Sequence, residues 1–112
     1  MLSREHLELR TQLYNALYLY HEAQGAYWKA LKLGQPQQLE INTVRATGAA
    51  LEAALTNLLD YLQQQESSPQ VEQEIQREQK RQDILARELA QLPATEIEAD
   101  ESAASADPEE GP

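Results

Sequence analysis

Leu33-Gly34-Gln35-Pro36 separates two ladders of regularly spaced residues, so the chain is expected to reverse direction here between two helices. Glycine readily takes the left-handed conformation that closes a helix, and proline cannot continue one. The ladder residues recur every three or four positions: Leu9, Leu13, Ala16, Tyr20, Ala23, Tyr27 and Ala30 before the turn, then Ile41, Val44, Gly48, Leu51, Leu55, Leu58 and Leu62 after it. This spacing predicts a long antiparallel helical hairpin with coiled-coil-like packing over residues 1–66.

Capping signals predict where the helices begin and end. Ser3 is a good N-cap residue, so the first helix is expected to begin directly after it. The second helix is expected to begin at or just after Pro36, whose fixed φ suits a first helical position. Ser68-Pro69 marks the start of a third helix, which Pro93 ends, so this helix occupies the segment 67–93.

The third helix has a weaker apolar seam than the hairpin. Its ladder is Val71, Ile75, Glu78, Gln82, Leu85, Leu89 and Leu92. Apolar ends therefore flank a polar middle, residues 77–82, which is expected to stay out of the core because buried charges are costly. We expect this helix to cover the hairpin only in part and to leave a gap over its middle.

Gly25 and Gly48 lie inside the two predicted hairpin helices. A glycine inside a helix costs about 1 kcal/mol relative to alanine, so a compensating reason is expected. If the hairpin turns near Gln35, each glycine lies opposite the middle of the other helix. Both are predicted to be packing residues that allow close approach or make room for large rings.

Charge is distributed unevenly along the chain. The formal net charge is −10, but residues 1–93 contribute only −3 and residues 94–112, which hold seven acidic and no basic side chains, contribute −7. This last segment combines acids with Ala, Ser and Pro, so it is predicted to be a disordered acidic C-terminal tail. The predicted class is therefore all-α, with a hairpin, a third helix and this tail.

The composition also bears on partners and location. A net negative chain without a concentrated Lys/Arg stripe is a poor binder of nucleic acid and of anionic membranes. The chain has no cysteine, and it shows neither a signal-peptide pattern nor an apolar run long enough to span a bilayer. A cytoplasmic location without membrane or nucleic-acid partners is therefore expected.

Aromatic residues form the strongest local anomaly, since the chain has five Tyr and one Trp but no Phe. Tyr20 and Tyr27 lie on the apolar seam and are predicted to be core residues. The candidate partner-binding residues are Tyr14, Tyr18, Trp28 and Tyr61. The first three lie around the first helix from the seam, where they face either the third helix or another protein, and such rings suit interfaces because each joins a large apolar area to a polar group.

The sequence offers little for catalysis or metal binding. His6 and His21 are fifteen residues apart on one helix, about four turns, so they cannot share a metal ion within one chain. No Glu-x-x-His motif, phosphate-binding glycine loop or nucleophile elbow occurs. We therefore expect no enzyme activity, no metal and no cofactor.

These observations predict a small non-catalytic helical adaptor or assembly protein, which acts through protein–protein interaction as a homodimer. Two hairpins meeting face to face would close the predicted gap as a four-helix bundle. One alternative is a helical chaperone or regulatory subunit of a secretion, phage or other macromolecular machine, which shields a partner's amphipathic helix. Another is an acidic inhibitor or DNA mimic that acts through its tail, and an enzyme is the remaining class.

Overall fold

A computed structural model describes residues 2–93, in which three α-helices and no β-strand are found. Helix α1 spans Arg4–Lys32, α2 spans Gln38–Gln63 and α3 spans Pro69–Ala90. The predicted all-α class is confirmed, with α2 beginning two residues after Pro36. The acidic tail predicted for residues 94–112 lies outside the described part of the chain.

The turn and the caps follow from the local sequence. Gly34 has a φ of 69°, the left-handed value expected for a closing glycine. The backbone N–H of Gln35 donates to the carbonyl of Ala30 at 2.9 Å and that of Gly34 to Leu31 at 3.2 Å, which together form a Schellman motif. The hydroxyls of Ser3 and Ser68 cap α1 and α3 by accepting backbone N–H groups at 3.1 and 3.2 Å.

The core lies between the facing ladders of α1 and α2. Its side chains include Leu13, Tyr20, Tyr27, Val44, Leu51, Leu55, Leu58 and Leu62. The predicted burial of Tyr20 and Tyr27 is thus confirmed. Helix α3 packs mainly against α2 and contributes Leu85 to the same cluster. Contacts of α1 with α3 ascend together along the two chains, from His6 with Glu74 to Tyr20 with Glu88, so these helices run parallel to each other.

One residue in the polar middle of α3, Glu78, is buried, contrary to the prediction that residues 77–82 stay out of the core; the other five are exposed or half-buried. Glu78 is 0 % exposed, and Glu74, one turn earlier, is also buried. Arg77 and Arg81 lie within 3.4 Å of the Glu78 carboxylate, so its charge is balanced where it is buried. The prediction was wrong because it treated each charge separately, whereas paired charges can enter an interface together.

The two helical glycines differ. Gly48 is buried, and a Cβ placed on it would lie 2.8 Å from Cδ2 of Leu89, so the predicted packing role is confirmed there. Gly25 is exposed, with no atom within 4 Å of the position its Cβ would take. The prediction for Gly25 was wrong because this residue lies on a face of α1 that is open to solvent, although the neighbouring Gln24 contacts Glu88 of α3.

Within residues 2–93, none of the helices combines the length and the apolar character needed to cross a bilayer.

Candidate functional site

A cluster of ionic side chains surrounds Glu74 at the end of the α1–α3 interface where both helices begin. The guanidinium of Arg10 donates two hydrogen bonds to the Glu74 carboxylate, at 2.7 and 2.9 Å, in a bidentate arrangement. The imidazole Nε2 of His6 donates a third at 3.0 Å. His6 and Glu74 are both buried, while the Arg10 side chain is partly open to solvent. Glu74 therefore fastens the start of α3 to the first two turns of α1.

The electrostatics of this cluster favour the ionised carboxylate. Burial by itself raises the pKa of Glu74, but the hydrogen bonds and charges of Arg10 and His6 outweigh burial and hold the pKa below its ordinary value of 4.5. The hydrogen bond to Glu74 likewise raises the pKa of the Arg10 guanidinium, against the opposing effect of burial. The contact is therefore a charged pair at neutral pH.

Glu78 continues this cluster one turn further along α3. Its carboxylate is 3.1 Å from the Arg77 guanidinium and 3.4 Å from Nε of Arg81. The Arg81 guanidinium also lies 5.9 Å from the centre of the Tyr14 ring, within the range of a cation–π contact. Arg77, Arg81 and Arg10 thus supply three guanidinium groups to two buried carboxylates.

Tyr61 supports the same cluster from α2. Its ring centre is 5.3 Å from that of His6, and its hydroxyl is hydrogen-bonded to the Ser3 hydroxyl at 2.6 Å. Ser3, His6 and Tyr61 line an open cleft of about 870 Å³ at this end of the bundle. The Ser3 hydroxyl is engaged with Tyr61 and with the backbone of His6, while the His6 ring is engaged with Glu74. The arrangement therefore fixes helix ends and does not pair a nucleophile with a base.

A second polar bridge joins α1 to α3 near the other end of the interface. The Tyr20 hydroxyl donates to the Glu88 carboxylate at 2.9 Å, and the Gln24 amide donates to the same oxygen at 3.2 Å. Burial, together with this carboxylate, raises the pKa of Tyr20 well above its ordinary value of 10.0. Tyr20 therefore stays protonated, and a hydrogen-bond donor, at neutral pH.

The two bridges leave an open groove between α1 and α3, which we call the α1–α3 groove. Its middle part has a volume of about 280 Å³ and is lined by Leu17, Tyr20, His21, Leu51, Leu55, Arg81, Ile84, Leu85 and Glu88. An adjoining upper part of about 350 Å³ shares Tyr20 and Glu88 and extends to Trp28 and Leu92. Apolar side chains therefore form the floor of a groove that has no helix over it in the described part of the chain.

The predicted partner-binding residues do not all lie together. Tyr14, Tyr18 and Trp28 are exposed on α1, by 46, 62 and 61 %. Trp28 lines the upper part of the groove and packs on Tyr27, while Tyr14 lies beside Arg81. Tyr61 is only half-exposed and lies near the beginning of α1, more than 30 Å along the helix from Trp28 by the ~1.5 Å rise per residue.

Sequence reasoning missed the most strongly bound side chains of this region, which are His6, Arg10, Glu74, Glu78 and Glu88. A signal was present for one of them, because Glu78 occupies a ladder position of α3 and has arginines one residue before and three residues after it. Nothing in the α3 sequence indicates that Arg10 and His6 lie opposite Glu74, since that depends on the register of two helices distant in sequence. Within residues 2–93, no group of three or more His, Cys, Asp or Glu side chains could hold a metal ion.

Comparison with known protein families, with curated proteins and with solved structures finds no match for this chain.

Proposed function

We propose that this chain is a small non-catalytic helical adaptor or assembly protein, which acts through protein–protein interaction as a homodimer. The observation that carries the proposal is the exposure of three large rings on α1, Tyr14, Tyr18 and Trp28, of which Trp28 lines the upper part of the α1–α3 groove. Tyr and Trp are enriched at protein interfaces, where a few such rings supply most of the binding energy.

The remaining polar groups support a non-catalytic role. The buried carboxylates Glu74 and Glu78 are held by arginines, and the carboxylate of Glu88 accepts hydrogen bonds from two neighbours. These contacts use the groups that general acid–base catalysis would need to keep available for a substrate. The same contacts give α1 and α3 a fixed spacing, which a docking surface requires.

The experiment is sedimentation equilibrium of the full chain at concentrations from about 1 to 100 µM, a range chosen to bracket micromolar affinities. We expect a dimer. We also expect the double variant Tyr18→Ala/Trp28→Ala to shift the protein to a monomer while its helix content, measured by circular dichroism, is retained. Leu19→Ala is the matched control, because Leu19 is a 54 % exposed apolar side chain on α1 that carries no aromatic ring.

A chain that stays monomeric over this whole range contradicts the homodimer. A dimer that survives the double variant shows that the exposed rings are not its interface. The chaperone alternative makes a different prediction, namely a monomer that gains helix content only when its partner is added. The inhibitor alternative requires that activity be lost when the acidic side chains of residues 94–112 are neutralised.

A further inference from the structure

The outer edge of the α1–α3 groove is basic, although the chain as a whole is acidic. Along α3, the residues Arg77, Lys80, Arg81, Ile84 and Arg87 follow one another at spacings of three, one, three and three positions. Residues three or four apart are neighbours on a helix surface, so these side chains form one stripe around Ile84. Ile84 is 44 % exposed, and Lys80 and Arg87 are also exposed. The stripe therefore combines an apolar side chain with four positive charges.

Three acidic residues of α3 lie near this stripe, Glu78, Asp83 and Glu88, and the first and last of them are engaged in contacts. Glu78 lies beneath it and is paired with Arg77 and Arg81. Glu88 is the one carboxylate that lines the middle part of the groove, and it accepts hydrogen bonds from Tyr20 and Gln24. Four cations, Arg77, Lys80, Arg81 and Arg87, thus face three carboxylates, those of Glu78, Asp83 and Glu88, which leaves an excess of one positive charge. A ligand that fits this surface carries negative charge and an apolar side chain.

The chain itself contains such a segment next to the groove. Residues 94–101 follow Pro93 and include Glu96, Ile97, Glu98, Asp100 and Glu101, with no basic residue. Pro93 lies at the upper end of the groove, directly after Leu92, which lines it, and the Pro93 carbonyl accepts a hydrogen bond from Arg45 at 3.0 Å. The acidic segment therefore leaves the described structure at the mouth of the groove.

The reach of the segment matches the positions of the positive charges. Arg87 and Arg81 lie about 9 and 18 Å below Pro93 along α3 at a rise of ~1.5 Å per residue. An extended chain advances ~3.3 Å per residue, so Glu98 can reach about 17 Å from Pro93 and Asp100 about 23 Å. The acids can therefore lie beside Arg87, Lys80 and Arg81 while Ile97 enters the apolar groove.

We propose that residues 94–101 fold back along the α1–α3 groove, with Ile97 over its apolar floor and the carboxylates against the basic stripe of α3. The segment is tethered, so its effective concentration at the groove reaches the millimolar range, which favours it over a free acidic peptide of equal intrinsic affinity. The docked segment covers Ile84, which lines the groove. It acts as an internal competitor for whatever binds there, and its docking does not depend on a partner.

The test is paramagnetic relaxation enhancement on the full chain. The chain has no cysteine, so Ser102→Cys provides a single site for a nitroxide label just beyond the acids. The amides of Ile84 and Arg87 report the groove side, and that of Ala53 reports the opposite side at a similar height, since Gln82 of α3 is hydrogen-bonded to Thr56 of α2 at 3.3 Å. We expect broadening at Ile84 and Arg87 to exceed that at Ala53 several-fold.

The matched control carries the same label and the substitutions Glu96→Gln, Glu98→Gln, Asp100→Asn and Glu101→Gln, which keep the length and remove the charge. In this variant, and in the unchanged segment at about 0.5 M NaCl, the broadening at Ile84 and Arg87 should fall to the level at Ala53. Equal broadening on the two sides, or broadening that survives neutralisation, overturns the proposal.

A mixture of labelled unenriched protein and unlabelled ¹⁵N-enriched protein distinguishes the source of the segment. Broadening that appears at full strength in this mixture comes from a second copy and overturns docking within one chain. The measurement is made on the isolated protein and needs no partner. Its failure is therefore distinct from a failure of the proposed adaptor function, which sedimentation and the ring variants test.

Discussion

The interface between α1 and α2 and the interface between α1 and α3 join the same helix to its two neighbours by opposite means. The first is an apolar seam in which ladder residues such as Leu13, Leu55 and Leu58 are fully buried. The second is made by long polar side chains that reach across a groove, at Glu74 and at Glu88. Apolar burial therefore sets the stability of this fold, while the ionic contacts set the position of α3 relative to α1.

Removing a side chain from the apolar seam should have the largest effect on stability. Leu55→Ala should destabilise the fold by about 3 kcal/mol, because it deletes buried methyl groups and leaves a cavity that the helices only partly fill. Urea unfolding followed by circular dichroism measures the loss. Leu39→Ala is the control, since Leu39 is 71 % exposed and its truncation should change stability by less than about 0.5 kcal/mol. Equal losses at the two positions would contradict the assigned core.

At the ionic interface, removing the cations should destabilise the fold more than removing the charge of the carboxylate with which they pair. Arg77→Ala/Arg81→Ala leaves Glu78 buried without its cations and should cost about 2–3 kcal/mol, whereas Glu78→Gln leaves two arginines that can turn to solvent and should cost about 1 kcal/mol. Thermal unfolding of both variants tests the order. Lys80→Ala/Arg87→Ala removes the same charge from exposed positions and should be nearly neutral. A larger cost for Glu78→Gln would contradict the proposed arrangement.

Acid should weaken the α1–α3 interface before it affects the seam. The pKa of Glu74 is lowered in the fold, so its contribution is fully present above the unfolded-state pKa of about 4.5 and is lost as the pH falls through the lower folded-state pKa. Glu74→Gln should therefore be less stable than the unchanged chain at pH 7, by about 1–2 kcal/mol for a lost charged hydrogen bond. The free energies of unfolding of the two proteins, measured between pH 7 and pH 3, should converge in acid. A difference that stays constant over this pH range would contradict the assigned role of Glu74.

The smallest expected effect separates the two glycines. Gly25→Ala should stabilise α1 by about 0.5–1 kcal/mol, because it improves helix propensity at a site where the new Cβ meets no atom within 4 Å. Gly48→Ala gains the same propensity but presses on Leu89 at the α2–α3 contact, so it should be neutral or destabilising. Urea unfolding curves of the two variants measure the change in the free energy of unfolding. Equal stabilisation at both positions would show that Leu89 of α3 moves aside without destabilising the fold.

The sequence predicted the apolar half of this fold because apolar periodicity, caps and turn residues act locally. The ladder of α1, the caps at Ser3 and Ser68 and the left-handed Gly34 each depend on residues close together in the chain. The polar half was not predictable in the same way. The burial of Glu74 depends on Arg10, 64 residues earlier, and only the assembled helices bring the two together.

The candidate surface likewise has a part that could be predicted from the sequence and a part that could not. The exposure of Tyr14, Tyr18 and Trp28 was an expected outcome of their position around α1 from the seam, and the structure places them there. The separation of Tyr61 from the other three rings was not foreseeable, because its packing on His6 and Ser3 depends on where α2 ends relative to the start of α1. The groove depends on the spacing between α1 and α3, which no single helix encodes.

The bridges at Glu74 and Glu88 also divide the molecule into parts that can open separately. Because α3 packs mainly against α2 and reaches α1 through side chains, breaking the two bridges would detach α3 from α1 while its packing on α2 remains. Such a detached form would uncover the floor of the groove, including Leu51 and Leu55, to any incoming amphipathic helix. The α1–α2 hairpin would then stay folded, and α3 would cover or uncover the groove according to whether the carboxylates of Glu74 and Glu88 keep their contacts with α1.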